Sequence, residues 1–495
     1  MEKIFSIPFL VFMPMLMSFF IMSPFFTSNE ISIRRFAKGV FSFHFLYATL
    51  MLIFFDSANP YFSQIHLLGG DWVQSLGIKF AFQIDSISII LVALTSFIFL
   101  LASISSKMNI RMNHKFYYSM MLLLMSAILG IFTANDMFLF FMFWELELIP
   151  AYFLIGGKYS NEVTPDAKKS ATKFVLFTFL GSMFMLLGIL LLHYYNYVAT
   201  GTLSATFSDV IDSYIPVGIQ LFIAICLIIG FGVKLPIVPL HTWLPDAHTN
   251  APTPVSIILA GILLKTGAYG IYRFNYEMMG ESFKIVAPVL AVFAFLNIIY
   301  IAFVAYAQTD IKRIVAYSSI SNMGLILLGL CACNQLGLSA SVFHMVAHAL
   351  VTAGLFTICG IVYLRCKTRD IRVLGGIAQN MPRLFGFATL IVLASIGIPV
   401  FAPFISEILT IISALFSDLS IVLKITSILS LPLLIASSCY MLKFLHEAFF
   451  GEKQGCFEKV NDISVHEFVI LASVVAGLVL FGLYPNAILN FVGAI

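Results

Sequence analysis

Four ionisable residues of this chain lie inside long apolar runs: Glu145, Lys234, Lys265 and Glu407. Of the 495 residues, 60% are hydrophobic and 10% are charged, and the mean hydropathy is +1.01. Hydrocarbon is therefore the expected solvent for most of the chain. An ionised group at the centre of a bilayer costs about 3 kcal/mol on insertion scales, so such groups persist where they face protein or internal water. By default they mark a path for protons or ions.

The apolar runs are long enough to cross a bilayer as helices. A hydrocarbon core of about 30 Å requires about 20 apolar residues per helical span. The runs are too long and too continuous for the alternating strands of a barrel. We therefore predict an all-α polytopic membrane protein with about fourteen transmembrane helices, in a single membrane domain over residues 1–495. The predicted spans are residues 5–26, 37–56, 86–105, 117–134, 136–155, 171–195, 216–240, 254–275, 285–306, 314–333, 338–364, 384–413, 420–448 and 465–492.

The number of basic residues alternates from one connection between spans to the next. The connections after even-numbered spans are nearly free of lysine and arginine. By the positive-inside rule, the basic connections face the cytoplasm or its organellar equivalent, and an even number of spans places both termini on the opposite side. The connections after odd-numbered spans contain Arg34, Arg35, Lys38, Lys107, Arg111, Lys115, Lys158, Lys168, Lys169, Lys312, Arg313, Arg365, Lys367, Arg369, Arg372, Arg383, Lys443, Lys453 and Lys459.

Prolines predict that two spans are broken within the membrane. The seventh span reads GFGVKLPIVPLHTWLPDAH around Lys234, and the twelfth reads ASIGIPVFAPFISEILT around Glu407. Each proline removes a backbone donor and clashes with the preceding turn. Two interrupted helices five spans apart, each with a central charge, are typical of inverted-repeat transporters. The repeats would cover about residues 117–275 and 285–448; two unrelated kinks are the alternative.

Two acids and a lysine are candidates in the first predicted repeat. Glu145 and Glu147 are about 200° apart on a regular helix, so we expect only one of them to face an internal cavity. Packing contacts with neighbouring arginine or lysine are the alternative role for both. Lys234 lies beside a predicted break, where freed carbonyl groups and trapped water would hold its ammonium group. Burial of a lysine favours its neutral form, which permits release of a proton.

Four further candidates follow. Lys265 lies near the centre of the eighth span, out of snorkelling reach of either surface. His344 and His348 are four residues apart and therefore stack on one face of a helix. That spacing suits a metal ion, but no third ligand is apparent, so a proton relay is favoured and no metal is expected. A purely structural role is the alternative for these residues and for Glu407, which follows the predicted break of the twelfth span.

Several classes of function are disfavoured. The seven cysteines form no CxxC pair, so neither a zinc site nor an iron–sulfur cluster is expected. No GxGxxG, Walker A, haem or flavin signature occurs, so we expect no redox cofactor in this chain. The formal net charge of +3 is too small to indicate a nucleic-acid partner.

Six segments together resemble the antiporter-like membrane subunits of respiratory complex I. They are WELELIPAYFL, ATKFVLFTFLGSMFMLLG, KLPIVPLHTWLPDAHTNAPTPVSIILAGILLKTGAYG, DIKRIVAYSSISNMG, HMVAHALVTAGLF and GIPVFAPFISE. The resemblance extends over about residues 85–410. Among the antiporter-like subunits, the chain specifically resembles the type called subunit M, or chain 4 in mitochondria. The first and third segments also look similar to the corresponding membrane subunit of the photosynthetic form of the complex in cyanobacteria and plastids.

The resemblance implies a fourteen-helix fold with two inverted five-helix repeats and broken helices 7 and 12. It implies that Glu145 pairs with Lys234, that Lys265 links two half-channels, and that His348 belongs to the same proton path. The exit residue is glutamate in subunit M and lysine in the two sister subunits, so Glu407 favours subunit M. One departure is Asn322, where the family motif usually has histidine; His344, one turn before His348, is a candidate to compensate.

The implied function is proton translocation coupled to quinone reduction, in a complex that oxidises NAD(P)H or ferredoxin. Flavin, iron–sulfur clusters and quinone would be bound by other subunits. The expected partners are other membrane subunits, especially the two sister subunits, in an energy-transducing membrane. A bacterial plasma membrane is favoured over a thylakoid or mitochondrial inner membrane. The alternative function is that of an Mrp-type sodium/proton antiporter subunit, which shares the fold and much of the motif in spans 7 and 8.

Overall fold

The structure is a computed structural model and describes residues 6–55, 66–159, 165–211, 215–451 and 461–493. Lys453, Cys456 and Lys459 lie outside these ranges. The first ten helices are α1 (Ile7–Met22), α2 (Glu30–Ile53), α3 (Ser86–Asn109), α4 (His114–Thr133), α5 (Met137–Leu146), α6 (Leu148–Gly156), α7 (Ala167–Thr200), α8 (Phe207–Ile211), α9 (Val217–Lys234) and α10 (Leu244–Asn250). The next ten are α11 (Thr253–Met278), α12 (Gly280–Ala307), α13 (Ile311–Cys331), α14 (Gln335–Cys366), α15 (Ile377–Asn380), α16 (Pro382–Ser395), α17 (Ala402–Leu415), α18 (Ile421–Phe449), α19 (Val465–Leu483) and α20 (Asn486–Val492).

Most of these helices are membrane spans by length and composition. Within the described residues, 12 helices are long and apolar enough to cross a membrane, counting α5 and α6 as one. Three further apolar helices are shorter: α1 has 16 residues, and α16 and α17 have 14 each. The prediction of an all-helical multi-pass membrane protein is confirmed. The count is lower than fourteen because α1 is short and because the predicted twelfth span is divided into α16 and α17.

The sequence did not predict one element, an antiparallel hairpin of β1 (His66–Val73) and β2 (Ile78–Phe82). It lies outside the spans, between α2 and α3. Phe82 forms a bridge with Ala134, and Asp136 forms one with Thr206. The Asp136 carboxylate also accepts a hydrogen bond from the backbone N–H of Lys79 at 3.0 Å. The connections after α2, α4 and α7 therefore meet at one end of the helix bundle.

The basic connections meet each other as well. The backbone N–H of Arg111 donates to the carbonyl of Tyr159 at 2.7 Å, which joins the connections after α3 and α6. Asp246 of α10 lies 2.7 Å from the Lys173 ammonium group and 3.3 Å from the Arg313 guanidinium group. The contacts at the two ends agree with the alternation read from the sequence, because connections of the same parity contact one another.

The first predicted break lies between α9 and α10. Helix α9 ends at Lys234, and non-helical residues follow until α10. The side chain of Asn297 on α12 bridges the exposed backbone: it donates to the carbonyl of Pro236 at 3.0 Å and accepts from the N–H of Val238 at 2.7 Å. The Trp243 indole donates at 2.9 Å to a carbonyl in the last turn of α9. Side chains thus satisfy backbone groups that the prolines free from helical pairing.

The second predicted break separates α16 from α17. Two residues in it have left-handed backbone angles, Gly397 with φ +78° and Val400 with φ +90°. A Cβ atom on Gly397 would lie 2.4 Å from Oε2 of Glu407. Glycine is therefore required here twice, for its backbone angle and for the close approach of the carboxylate.

Helices α11 and α14 form the centre of the bundle. In their most apolar 18-residue windows, 94% and 100% of the residues are buried, against 25% for α18 and 28% for α19. The central pair carries Lys265 on α11 and His344 and His348 on α14. These three candidates therefore lie on helices that are almost wholly buried within the protein.

Candidate functional site

Lys234, the last residue of α9, forms an ion pair with Glu147. Glu147 lies at the junction of α5 and α6. Pro150 has no N–H to donate to the carbonyl of Leu146, which explains the interruption of helical hydrogen bonding at this point. The exposed fractions of the Lys234 and Glu147 side chains are 1% and 0%. This is a desolvated ion pair at one helix end and one helix junction.

An aromatic ring completes the environment of Lys234. Its ammonium nitrogen lies 4.3 Å from the centroid of the Trp144 ring. The Trp144 indole donates to the hydroxyl group of Ser182 on α7 at 3.2 Å, which fixes the plane of the ring. A desolvated cation–π contact contributes about 2 kcal/mol. Lys234 is therefore held by a carboxylate and by a ring face.

The pairing of Lys234 with Glu145 was wrong. In the described part of the chain, Lys234 has an ion pair with Glu147 and none with Glu145. Glu145 is only partly buried, and it acts on Lys234 through longer-range electrostatics. The two acids do differ in burial, as their separation of about 200° on a helix predicts, but the fully buried one is Glu147. A role for Glu145 in proton translocation stays a prediction.

Lys265 and His348 are in direct contact at the centre of the bundle. The Lys265 ammonium group donates to Nδ1 of His348 at 2.8 Å and to the carbonyl of Ala260 at 2.5 Å. The π-helical stretch Leu259–Leu263 ends just before Lys265. Such stretches are frequent at functional sites. Because Nδ1 accepts, the neutral His348 ring carries its proton on Nε2, which has no hydrogen-bond partner among the described residues.

His344 lies one turn before His348 on α14, and the two ring centroids are 6.3 Å apart. Its Nδ1 lies 2.8 Å from the hydroxyl oxygen of Ser406, and its Nε2 lies 3.2 Å from Oδ1 of Asn322. The predicted stacking of the two histidines is confirmed. His344 therefore connects the central helix α14 to α17, at the residue that precedes Glu407.

Glu407 lies on α17, directly after the second break. Its side chain reaches back to Gly397 in that break, and 5% of the residue is exposed. Tyr440 of α18, which is 1% exposed, interacts electrostatically with Glu407. The carboxylate thus approaches a non-helical backbone segment and interacts electrostatically with a buried phenol.

None of the predicted residues Lys234, Lys265, His348 and Glu407 faces lipid, because each is at most 5% exposed. Helix α11 packs against the first break: a Cβ atom on Gly267, two residues after Lys265, would lie 2.7 Å from the backbone nitrogen that follows Lys234. Lys265 and His348 make a direct hydrogen bond, which permits direct proton transfer between them.

Two residues at this site were missed by sequence reasoning. Ser406 gives no signal of its own among the many serines of the spans. His248 closes the WLPDAH motif in the broken span, and this position beside prolines was a usable signal. His248 is fully buried, and neither ring nitrogen has a hydrogen-bond partner among the described residues. It stacks on Phe356 with a centroid distance of 5.0 Å and interacts electrostatically with Lys265 and Lys312.

The donor set does not resemble a metal site. In the ranges that the structure describes, no three His, Cys, Asp or Glu residues are grouped as metal ligands would be. The Nδ1 atoms of His344 and His348 are engaged by Ser406 and Lys265. A lysine ammonium group against a ring nitrogen would repel a bound cation, so the cluster suits proton exchange rather than metal binding.

Comparison with known proteins places the chain in a family. Residues 134–431 match the family model described as NADH:quinone oxidoreductase/Mrp antiporter, TM. NADH-quinone oxidoreductase subunit M of Escherichia coli (strain K12) is 38% identical over 424 residues, covering 85% of this chain and 82% of that protein. NAD(P)H-quinone oxidoreductase chain 4 2 of Thermosynechococcus vestitus is 36% identical over 486 residues, covering 96% of this chain and 88% of that protein.

Solved structures agree on the fold. A chain of respiratory complex I from Thermus thermophilus with bound NADH has a TM-score of 0.86 at 24% identity, covering 99% of this chain and 98% of that chain. A chain of the Mrp complex from Dietzia sp. DQ12-45-1b has a TM-score of 0.82 at 19% identity, covering 98% and 96%. At these identities the fold alone is shared. The family match and the closer sequence relatives together show that this chain belongs to the subunit M, or chain 4, family of NAD(P)H–quinone oxidoreductase membrane subunits.

Proposed function

We propose that this chain is the proton-translocating membrane subunit of an NAD(P)H- or ferredoxin-dependent quinone oxidoreductase. The relatives at 36–38% identity are subunits of NADH- or NAD(P)H-quinone oxidoreductases. The observation that carries the proposal is the buried hydrogen bond between Lys265 and His348. It joins the two central helices through two groups that can each hold a proton.

The proposed route runs within the membrane plane from Lys234, through Lys265 and His348, to Glu407, and Glu145 assists at its start through its electrostatic interaction with Lys234. Glu147 controls its first step. While Glu147 contacts Lys234, the lysine keeps its proton, because an opposite charge at short range favours the charged form. Separation of the pair leaves a desolvated ammonium group, which then gives its proton to the next acceptor.

The later steps use the contacts of the central helices. The Lys265 ammonium group transfers a proton to Nδ1 of His348, and the imidazolium ring releases a proton from Nε2 towards α17. Glu407 takes it and exchanges it at the second break with one side of the membrane. The carboxylate beside Gly397 is suited to this exchange because non-helical backbone tolerates water where helical backbone does not.

We further propose fourteen spans with two inverted repeats, over about residues 117–275 and 285–448. Adding α1 and a combined α16–α17 to the 12 full-length helices of the described residues yields this number. Each repeat would then contain one broken span, α9–α10 and α16–α17, with Lys234 and Glu407 at corresponding positions. A break that exposes backbone groups at mid-membrane is the device by which such repeats build an ion site.

This chain works as part of an assembly. Redox centres of the subunit M family lie in other subunits, and the two sister antiporter-like subunits are the proposed neighbours in the membrane. The isolated chain should accordingly show no flavin, haem or iron–sulfur absorbance. Stoichiometric flavin or iron on the purified chain would contradict this assignment. NADH and ferredoxin remain alternative donors, which a comparison of quinone reduction with each donor would separate.

The experiment that tests the proposed function replaces the exit residue. Glu407→Ala should abolish proton transport through this chain, whereas Glu407→Lys, which imitates the sister subunits, should retain part of it. Both variants are measured in inverted membrane vesicles as the proton gradient formed per electron pair delivered to quinone. A native gel first establishes that each complex is assembled.

Glu467→Gln is the matched control. Glu467 is fully buried but lies on α19, where it pairs with Arg365 at 2.6 Å, away from the proposed route. Its replacement should reduce the amount of assembled complex and leave the gradient per electron pair unchanged. Normal pumping by assembled Glu407→Ala would refute Glu407 as the exit.

A further inference from the structure

His344 has two well-defined hydrogen-bond partners and is 1% exposed. The amide of Asn322 is oriented by its own bond, because its Nδ2 donates to the carbonyl of Ser318 at 2.8 Å. Oδ1 of Asn322 therefore faces the ring of His344 as an acceptor at 3.2 Å. It follows that Nε2 of His344 carries a proton, in both the neutral and the charged form of the ring.

The other ring nitrogen faces a hydroxyl group with a choice of two acceptors. The Ser406 oxygen lies 2.8 Å from Nδ1 of His344 and 2.9 Å from the carbonyl of Pro403. A serine hydroxyl has one proton to donate. If that proton points to Nδ1, His344 is neutral. If it points to Pro403, Nδ1 can hold a second proton and donate to the serine oxygen. Rotation of one hydroxyl group thus matches the two charge states of the ring.

Resting on the proposed function, we propose that His344 holds a transported proton on Nδ1 and exchanges it with Glu407 through the hydroxyl group of Ser406. In the direction of transport, Nδ1 of the charged ring gives its proton to the Ser406 oxygen while the original hydroxyl proton of Ser406 leaves through intervening water to the carboxylate of Glu407. The new O–H then points to Nδ1, as it does beside the neutral ring. His344 loses one positive charge and Glu407 one negative charge, so protons and charge balance.

The surroundings of His344 supply the reason to assign it this role. A buried histidine with the same pattern of contacts occurs elsewhere: Nδ1 of His44 lies 3.1 Å from the Ser96 hydroxyl oxygen, and its Nε2 lies 2.8 Å from the carbonyl of Leu10. The protonation of His44 depends on its burial and on the hydrogen bond with that carbonyl. His344, by contrast, interacts electrostatically with Lys265 and with His348. Of these two histidines, His344 is therefore the one placed among other proton-holding groups.

His44 is accordingly the matched control for His344. Glutamine at either position keeps a donor and an acceptor but cannot bind the additional proton. His344→Gln should lower the rate of proton transport through this chain at least about tenfold, a modest share of the 100- to 10,000-fold that a positioned proton-transfer group contributes. His44→Gln should leave it unchanged. The readout is the gradient per electron pair in vesicles that contain the assembled complex.

A second pair tests the hydroxyl group. Ser406→Ala should impair transport, because the hydroxyl link from Nδ1 to the neighbourhood of Glu407 is removed. Ser413→Ala is its control on the same helix: Ser413 is buried, and its hydroxyl group donates to the backbone carbonyl of Thr410 at 2.8 Å. Equal pumping by these two alanine variants, or by the two glutamine variants, would overturn the proposal.

An exchange of residues separates proton binding from packing. The double variant His344→Asn with Asn322→His exchanges the two side chains that contact each other at 3.2 Å. The imidazole then lies on α13 instead of α14, and the composition of the site is preserved. It should recover part of the transport that His344→Gln loses. An assembled double variant without recovery would overturn the proposal in favour of a packing role. Lys265→Met separates a failure of the proposed function from a failure of the role assigned to His344. Normal pumping by Lys265→Met would refute the proposed function itself. Loss of pumping in Lys265→Met together with normal pumping in His344→Gln would refute only the role of His344.

Discussion

Glu147, rather than Glu145, should control Lys234, and replacing each by glutamine tests this directly. The ion pair has side-chain exposures of 1% and 0%, so water cannot compensate for a lost partner. Removing one member of a buried pair costs about 3–5 kcal/mol, because the other charge stays desolvated. The contact of Lys234 with Trp144 returns at most about 2 kcal/mol and already exists in the parent protein.

Glu147→Gln should therefore shift the protonation equilibrium of Lys234 by a factor of about 100 or more, since about 1.4 kcal/mol corresponds to tenfold. A domain that is stable by about 5–15 kcal/mol survives such a loss, so assembly should decrease but not disappear. Glu145 is partly exposed and makes no ion pair with Lys234 in the described part of the chain. Glu145→Gln should therefore lower the stability of the protein by at most about 1 kcal/mol, which is the upper range for pairs that face solvent.

The assay combines three measurements on the same membranes: the amount of intact complex on a native gel, quinone reduction, and the proton gradient per electron pair. Glu147→Gln should lower the last two more than Glu145→Gln does. In the double variant Glu147→Gln with Lys234→Met, both charges are gone, so assembly should recover while pumping stays low. A larger loss of pumping in Glu145→Gln than in Glu147→Gln would refute the reasoning.

Three further substitutions probe the supports of the site. Gly397→Ala should displace Glu407 and reduce pumping, because the new Cβ atom would lie 2.4 Å from its carboxylate and the φ angle of +78° costs alanine about 1–3 kcal/mol. Gly386→Ala is the control, since a Cβ atom there meets no atom within 4 Å, and pumping is measured for both variants. Asn297→Leu should reduce the yield of folded chain, by about 1–3 kcal/mol for each buried backbone group it leaves unpaired at the first break. Trp144→Phe should preserve more pumping than Trp144→Leu, since only phenylalanine retains a ring face for Lys234.

Burial and helix breaks were predictable because both depend on local chemistry. Hydropathy places a residue within the membrane, and a charge at that depth must face protein, as Lys234, Lys265 and Glu407 do. A proline lacks its N–H group in any fold, so the interruptions after Lys234 and before Glu407 follow from residue type alone.

The partner of Lys234 was not predictable in the same way. Counting 100° per residue correctly separates Glu145 from Glu147 by about 200°, but it does not say which of the two faces Lys234. The resemblance also transferred the pair by position in a motif. A motif preserves order along the chain, but the side chain that meets Lys234 depends on how α5, α6 and α9 pack. A difference of two residues across a helix junction exchanges the buried acid for the partly exposed one.

The contacts of His344 show a second limit. The four-residue spacing correctly predicted that His344 and His348 share a helix face. Its partners Asn322 and Ser406 are 22 and 62 residues away and lie on two other helices. Periodicity within one helix contains no information on which serine of another helix is opposite. Only the packing of α13, α14 and α17 brings the three side chains together.

The two breaks hold their ionisable residues in different ways. Lys234 is the last residue of α9, where unpaired carbonyl groups favour a cation. Glu407 is the sixth residue of α17, beyond the first turn in which unpaired N–H groups favour an anion, and its carboxylate approaches Gly397, two residues after the end of α16. Helix polarity therefore stabilises the charge of Lys234 at the first break and gives no comparable support to an ionised Glu407 at the second. A lysine at position 407 would approach the carbonyl end of α16, where a cation is favoured, and this is a physical reason for Glu407→Lys to retain part of the transport.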